Sequence, residues 1–243
     1  MMCMHASWSR VAFSACALIW LVACGATQKP APTPAPETRS AEWSEPPDQM
    51  QVTGIMGTIP ERKIRATLEP VLPSFARCFA REAGEVEFIG GHMEFYFRVG
   101  LDGKVEWVYP RASDVGHRAT EQCLLDIAKG VRFPGPKGGG AAEVGWGFDF
   151  EPSDGARPPV AWGTENAESV RSQIHALARE CQLEQGSLMV TAYVTPGGQV
   201  LAAGASADSP QSAAQIDCVV GAVRGFTFAD PGSYTAKLSF SVP

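Results

Sequence analysis

Polar and apolar positions along the chain divide into runs of two periods. From Met93 to Val99, Met93, Phe95, Phe97 and Val99 alternate with Glu94, Tyr96 and Arg98, the period of a strand with one buried face. Leu188, Val190, Ala192 and Val194 repeat the pattern. Asp102-Gly103 and Gly197-Gly198 follow as positive-φ turn residues, leading into Val105-Trp107-Tyr109 and Val200-Ala202, so each strand opens a hairpin. A four-residue period then predicts a helix through Ala119, Cys123, Ile127 and Val131, and another through Ala214, Cys218, Ala222 and Phe226. Ser209-Pro210 is a cap-and-N1 start for the second of these. Val144-Trp146-Phe148-Phe150 and Tyr234-Ala236-Leu238-Phe240-Val242 read as closing strands. Ahead of the hairpins, Val170, Ile174, Ala178 and Cys181 predict a helix, as do Ile64, Leu68, Phe75 and Phe79, the latter kinked or split by Pro70 and Pro73.

The two sets lie in register at an offset of 95 residues, with Gly103 on Gly198, Cys123 on Cys218, Lys129-Gly130 on Arg224-Gly225 and Phe133 on Phe228. The expected fold is therefore α+β: two repeated α-β-β-α-β modules, residues 55–152 and 164–243. Each is expected to be a three-stranded antiparallel sheet with two helices on one face.

The N-terminus has a different pattern. Arg10 precedes an apolar run from Val11 to Ala23, a signal-peptide layout too short to span a bilayer. It ends in Leu21-Val22-Ala23-Cys24, which resembles the bacterial lipobox. That resemblance implies a signal peptide at 1–23, cleavage before Cys24, lipidation of Cys24 and, with Gly25 next, an outer-membrane destination facing the periplasm. An ordinary cleaved signal with an incidental cysteine is the alternative. Residues 24–50, rich in Pro and Ala, read as a tether, its stretch from Gly25 to about Asp48 reaching at most about 70 Å, or as a plain unstructured leader.

Export bears on the cysteines. Cys78, Cys123, Cys181 and Cys218 remain after processing, an even number in an oxidising compartment. Pairing Cys78 with Cys123 and Cys181 with Cys218 is the simplest outcome, both members lying on helices that pack on the same sheet. A bridge between the copies and free buried thiols are the alternatives. No histidine falls at ligand spacing from either pair, so no metal is expected. The processed chain has 19 basic against 26 acidic side chains, a poor match to nucleic acid.

The element order, the cysteine positions and "CLLDIAKGVRFPGPKGGG" resemble the AgmX/PglI C-terminal domain of gliding-motility proteins, itself similar to the TonB C-terminal domain. The likeness covers Pro60 to Pro152 well and Glu165 to Pro243 less well, the second copy having Phe228-Ala229 for Phe-Pro. It implies an envelope adaptor that binds a protein or cell-wall component, in TonB by adding a strand to a sheet edge, without catalysis or cofactor. A cleavable lipidated leader departs from TonB, which keeps a membrane helix. An enzyme with a site between the modules and a TonB-like transducer component are the alternatives. No G-x-S-x-G, H-E-x-x-H or Walker loop occurs. His92, His117 and His175 read as solvated or locally bonded.

Candidate partner-binding residues are Tyr96 and Arg98 on the sheet face away from the helices, Phe88 in the apolar insertion "AGEVEFIGG", and Trp146 on the glycine-flanked last strand. Gly145 and Gly147 leave the outer face of that strand bare, for a partner or for the other module.

Overall fold

Alternation sets the first sheet. In the computed structural model, which describes residues 56–84, 86–183 and 186–243, β1 (Gly91–Val99) turns Met93, Phe95, Phe97 and Val99 inward with no exposure at all. β1 pairs with β2 (Val105–Ser113) and, on its other side, with β3 (Ala142–Phe150), both antiparallel, giving the order β2-β1-β3. The signal peptide, Cys24 and the tether lie outside the described residues. Gln51–Pro243 forms a compact unit of its own. No helix among the described residues is long and apolar enough to cross a membrane.

The proline expectation holds. Helix α1 (Glu61–Leu68) passes through a 3-10 turn at Glu69–Val71 into α2 (Leu72–Ala83), with Pro70 and Pro73 in first-turn positions where a missing N–H costs nothing. Ile64, Leu68 and Phe75 point into the sheet, and the Phe75 ring stacks on Phe95 at 5.3 Å. After β2 comes α3 (Arg118–Lys129).

The C-terminal half starts with β4 (Val160–Trp162), a 3-10 helix at Thr164–Val170 and α4 (Arg171–Glu180). Then follow β5 (Leu188–Val194), β6 (Val200–Ala207), the short α5 (Pro210–Ala213), α6 (Ile216–Val223) and β7 (Ala236–Val242). Ser209 caps α5 in a reciprocal bond with Ser212, as its Ser-Pro start predicts. This sheet is not the expected three-stranded one. Its order is β4-β7-β5-β6, and β4 runs parallel to β7, because the extended segment after Pro159 finds the far edge of β7 unpaired.

Three other expectations are corrected. The buried stripe of α3 is Thr120, Glu121, Leu124 and Ala128, one position round from the predicted stripe, and Val131 lies beyond the helix. In the matching region the chain breaks into α5 and α6, burying Ser212, Ile216, Val219, Val220 and Val223 rather than Ala214, Cys218 and Ala222. The hairpin turns are five-residue loops, closed by Gly100 N–H to Lys104 O and Thr195 N–H to Gln199 O, each 2.8 Å. Within them Gly103, Gly197 and Gly198 take positive φ and Asp102 does not.

Both halves repeat the same local ties. Gly103 and Gly198 each leave room only for the carbonyl of Phe133 or Phe228, whose N–H groups return 2.9 Å bonds to the glycine carbonyls. Cys78 and Cys123 are bridged with Cα atoms 6.1 Å apart, and Cys181 and Cys218 at 5.7 Å, the expected pairing. The halves also share their interiors. Tyr109 of β2 sits in the C-terminal core, while Tyr193 of β5 and Ala202 of β6 sit in the N-terminal one.

Candidate functional site

The face of the first sheet away from its helices carries the polar residues of β1, as the alternation requires. Tyr96 and Arg98 meet there through one carboxylate. The Tyr96 hydroxyl donates to Glu143 Oε2 at 2.9 Å, and Arg98 Nη1 donates to Glu143 Oε1 at 3.2 Å while its Nε reaches Glu106 at 3.0 Å. Arg111 pairs with Glu94 and lies 4.4 Å over the Tyr96 ring. Burial, then the Glu143 carboxylate, raise the Tyr96 phenol pKa. The Trp107 and Tyr109 rings lie 6.1 and 5.8 Å from Tyr96 and 5.6 Å from each other, tilted or edge-on, and carry this face onto the C-terminal half.

The bare strip on β3 is filled from within the same half. A Cβ on Gly145 would meet Glu94 and Arg111, and one on Gly147 would meet the His92 ring, whose Nδ1 is 2.8 Å from Asp149 Oδ1. The other candidates lie elsewhere. Trp146 faces the helix side, with the Arg65 guanidinium 5.4 Å from its ring. Phe88 is half-buried where the halves meet, 5.5 Å from the Tyr193 ring and 6.2 Å from Tyr234. Its neighbour Ile89 closes the N-terminal core at 1% exposure.

Beyond the face lies an edge. β3 and β7 occupy the same place in their sheets, each paired on one side with the strand that opens the hairpin. The other side of β7 is taken by β4, starting with Val160 N–H to Thr235 O at 2.9 Å. At β3 the chain makes the matching first bond, Gly57 N–H to Ala141 O at 3.0 Å, then turns off. Thr58 exchanges 2.8 and 3.0 Å bonds with Lys137 of the glycine-rich turn instead. Among the described residues nothing pairs with the far side of β3 from Ala142 to Phe150.

A cleft of about 430 Å³ opens between the halves beside that strand, lined by Phe88, His92, Asp114, Asp149, Tyr193 and Lys237 among others. Lys237 Nζ donates to Gly90 O at 3.1 Å and lies 3.3 Å from Asp114 Oδ2. Burial pushes the Tyr193 phenol far up, so it stays protonated. His117 is bonded locally, Nδ1 to Thr120 Oγ1 at 2.8 Å. Among the described residues no group of three or more His, Cys, Asp or Glu is placed to hold a metal ion.

Sequence reasoning missed the polar seam. Glu121 is fully buried, accepting from Ser113 Oγ at 2.9 Å and from the Ala205 N–H of β6 at 3.1 Å. Gly204 makes the room for it. Arg118, 3.9 Å from Glu121, binds Asp217 across the seam at 2.6 Å, and Gln122 binds the same oxygen at 2.9 Å. Desolvation raises the Glu121 pKa against the pull of Ser113, Ala205 and Arg118. A carboxyl whose folded pKa is raised binds more protons folded than unfolded, so stability falls as pH climbs through the unfolded value of about 4.5 towards the folded one. Urea unfolding of Glu121→Gln between pH 4 and 7 should lose that part of the decline; an identical pH profile would contradict it.

No family model matches the chain, no curated protein matches it, and no solved structure matches it.

Proposed function

We propose that the chain is a lipid-anchored adaptor of the bacterial envelope, built from two copies of one α-β-β-α-β unit, that binds a partner protein by adding its strand to β3. The observation that carries the reading is the side of β3 left unpaired among the described residues, set against the matching side of β7, which β4 fills. An unpaired strand offers a row of backbone donors and acceptors, and the resemblance to the TonB C-terminal domain supports their use in this way. Duplication is supported by the matched bonds of Gly103 with Phe133 and Gly198 with Phe228, and by the two matched disulfides.

Charge narrows the partner. Glu143 and Asp149 flank Gly145-Trp146-Gly147 on the outer side of β3. A second β3 laid antiparallel about Trp146 would set Glu143 against Asp149, so self-pairing is disfavoured and a strand carrying Lys or Arg fits. The resemblance of Leu21–Cys24 to the lipobox supports anchoring by acyl chains at Cys24.

A photoreactive amino acid at Asp149, on the edge, should capture one protein partner in intact envelopes. The same group at Glu180, at the end of α4, should not. Equal adducts from both positions, or none from Asp149, would reject the edge as the docking strand.

A further inference from the structure

Three stretches meet at one end of the N-terminal half: the chain before α1, the hairpin loop Gly100–Lys104 and the loop from Gly130 to Ala141. They are tied by backbone bonds, Phe133 N–H to Gly103 O at 2.9 Å and the Thr58–Lys137 exchange, and Arg132 Nη1 donates to Asp102 O at 3.2 Å. On this firm base stands Leu101, at 63% the most exposed large apolar side chain among the described residues, its carbonyl beside Gly135, while Met56, 50% exposed, lies beside Gly138 of the same loop. Lys104, Arg132 and Lys137 are all exposed on the same joined loops. Asp102, the acid in these two loops, pairs with Lys104 at 2.7 Å, and no ion pair among the described residues involves Arg132 or Lys137.

The matching end of the C-terminal half lacks all of this. Pro196 stands at the place of Leu101, Gln199 at that of Lys104 and Thr227 at that of Arg132. There Asp230 accepts from the Gly197 N–H at 3.0 Å, adding negative charge where the other end has none to spare. A chain of net charge −6 thus gathers Arg132 and Lys137, which join no ion pair among the described residues, together with Lys104 at the end that carries one exposed leucine. The described chain also enters the fold at this end, through Met56 and Gly57.

We propose that this end is a membrane-facing surface, with Lys104, Arg132 and Lys137 on anionic phospholipid headgroups and Leu101 dipping into the interface. The inference rests on the reading that Cys24 holds the chain at a membrane, and it adds an orientation: the opposite end of the N-terminal half faces away from the lipid. Each Lys or Arg near an anionic leaflet strengthens binding roughly fivefold, and with Asp102 offsetting Lys104 the net two charges give roughly twenty-fivefold. The attraction fades beyond a Debye length of about 8 Å at physiological salt. Alone it is weak; a tether that already confines the protein near the bilayer makes it sufficient to set orientation.

The test is vesicle flotation of the chain from Gly25 to Pro243, which contains the compact Gln51–Pro243 unit and carries neither the apolar run nor an acyl chain. It should bind vesicles containing phosphatidylglycerol at least about tenfold more tightly than pure phosphatidylcholine vesicles, and lose that binding in high salt. The K104E/R132E/K137E variant should lose at least roughly twenty-fivefold. Leu101→Ser should weaken binding severalfold without changing its salt dependence. All sites are exposed, and circular dichroism with intact mass checks that each variant folds with both disulfides. Equal binding to the two vesicles, or a charge-reversed variant that binds like the parent, overturns the inference. The anchor at Cys24 is read separately, from the mass of the protein extracted from cells, so its failure is distinguishable.

Discussion

Gly204→Val is expected to destabilise the protein by about 3 kcal/mol, the range seen when a well-packed interior is overfilled. A Cβ at this position would stand 2.3 Å from Glu121 Oε1 and 2.6 Å from its Oε2 and Cδ. That carboxylate has nowhere to go: it is fully buried and held by Ser113 and by the Ala205 N–H. Nor can β6 step back, because Gly204 is paired with Thr191 of β5, itself fully buried. The valine therefore either breaks the Glu121 bonds, leaving buried donors unmatched, or parts the two halves. Urea unfolding should show a lower midpoint. Adding Glu121→Ala to the Gly204→Val chain should recover about 1 kcal/mol or more, since it removes the group in collision and couples the two sites. A Gly204→Val chain that unfolds at the parental midpoint would mean the seam is looser than its geometry states.

The seam was the part of the molecule hardest to read from sequence, for a physical reason. A glutamate on a helix reads as a solvated residue, and its burial depends on a strand more than eighty positions away. One signal was present: β6 reads "VLAAGASA", small residues on both faces, where a strand with one wet face would alternate. Strand faces were legible because a period of two leaves no choice of side, so Met93, Phe95, Phe97 and Val99 are buried as expected. Helix faces were less so. In α6, "IDCVVGAV", apolar residues run nearly all round, and treating the cysteine as part of the stripe turned the face by a position. Each disulfide runs from a buried cysteine, Cys78 or Cys181, to one on the flank of a neighbouring helix. Cys123 is accordingly half-buried, whereas Leu124 has no exposure. Of the candidate site, Tyr96 and Arg98 fell on one face as alternation predicts. Phe88 and Trp146 separated: a loop insertion carries no period that fixes where Phe88 points, while the alternation of β3 sends Trp146 to the helix side with Val144 and Phe148. β4 is three residues between Pro159 and Gly163, too short for any pattern, yet it fills the far edge of β7.

Replacing Cys78 and Cys123 together by serine is expected to cost about 4 kcal/mol, and Cys181 with Cys218 nearly the same. The bridges close segments of 45 and 37 residues, and loop-closure entropy depends on length only logarithmically, so the two should differ by a few tenths at most. The consequences should nonetheless differ. The first bridge ties α2 to α3, and α3 carries Arg118, Glu121 and Gln122 into the seam. The second ties α4 to α6, which offers the seam Asp217 on its outer side. Loosening α3 should therefore relax the constraint that makes Gly204→Val costly. In a double-mutant cycle the valine should cost at least about 1 kcal/mol less without Cys78–Cys123 than with it, and close to its full amount without Cys181–Cys218. Equal costs in both backgrounds would show that the seam is held by the sheets rather than by α3.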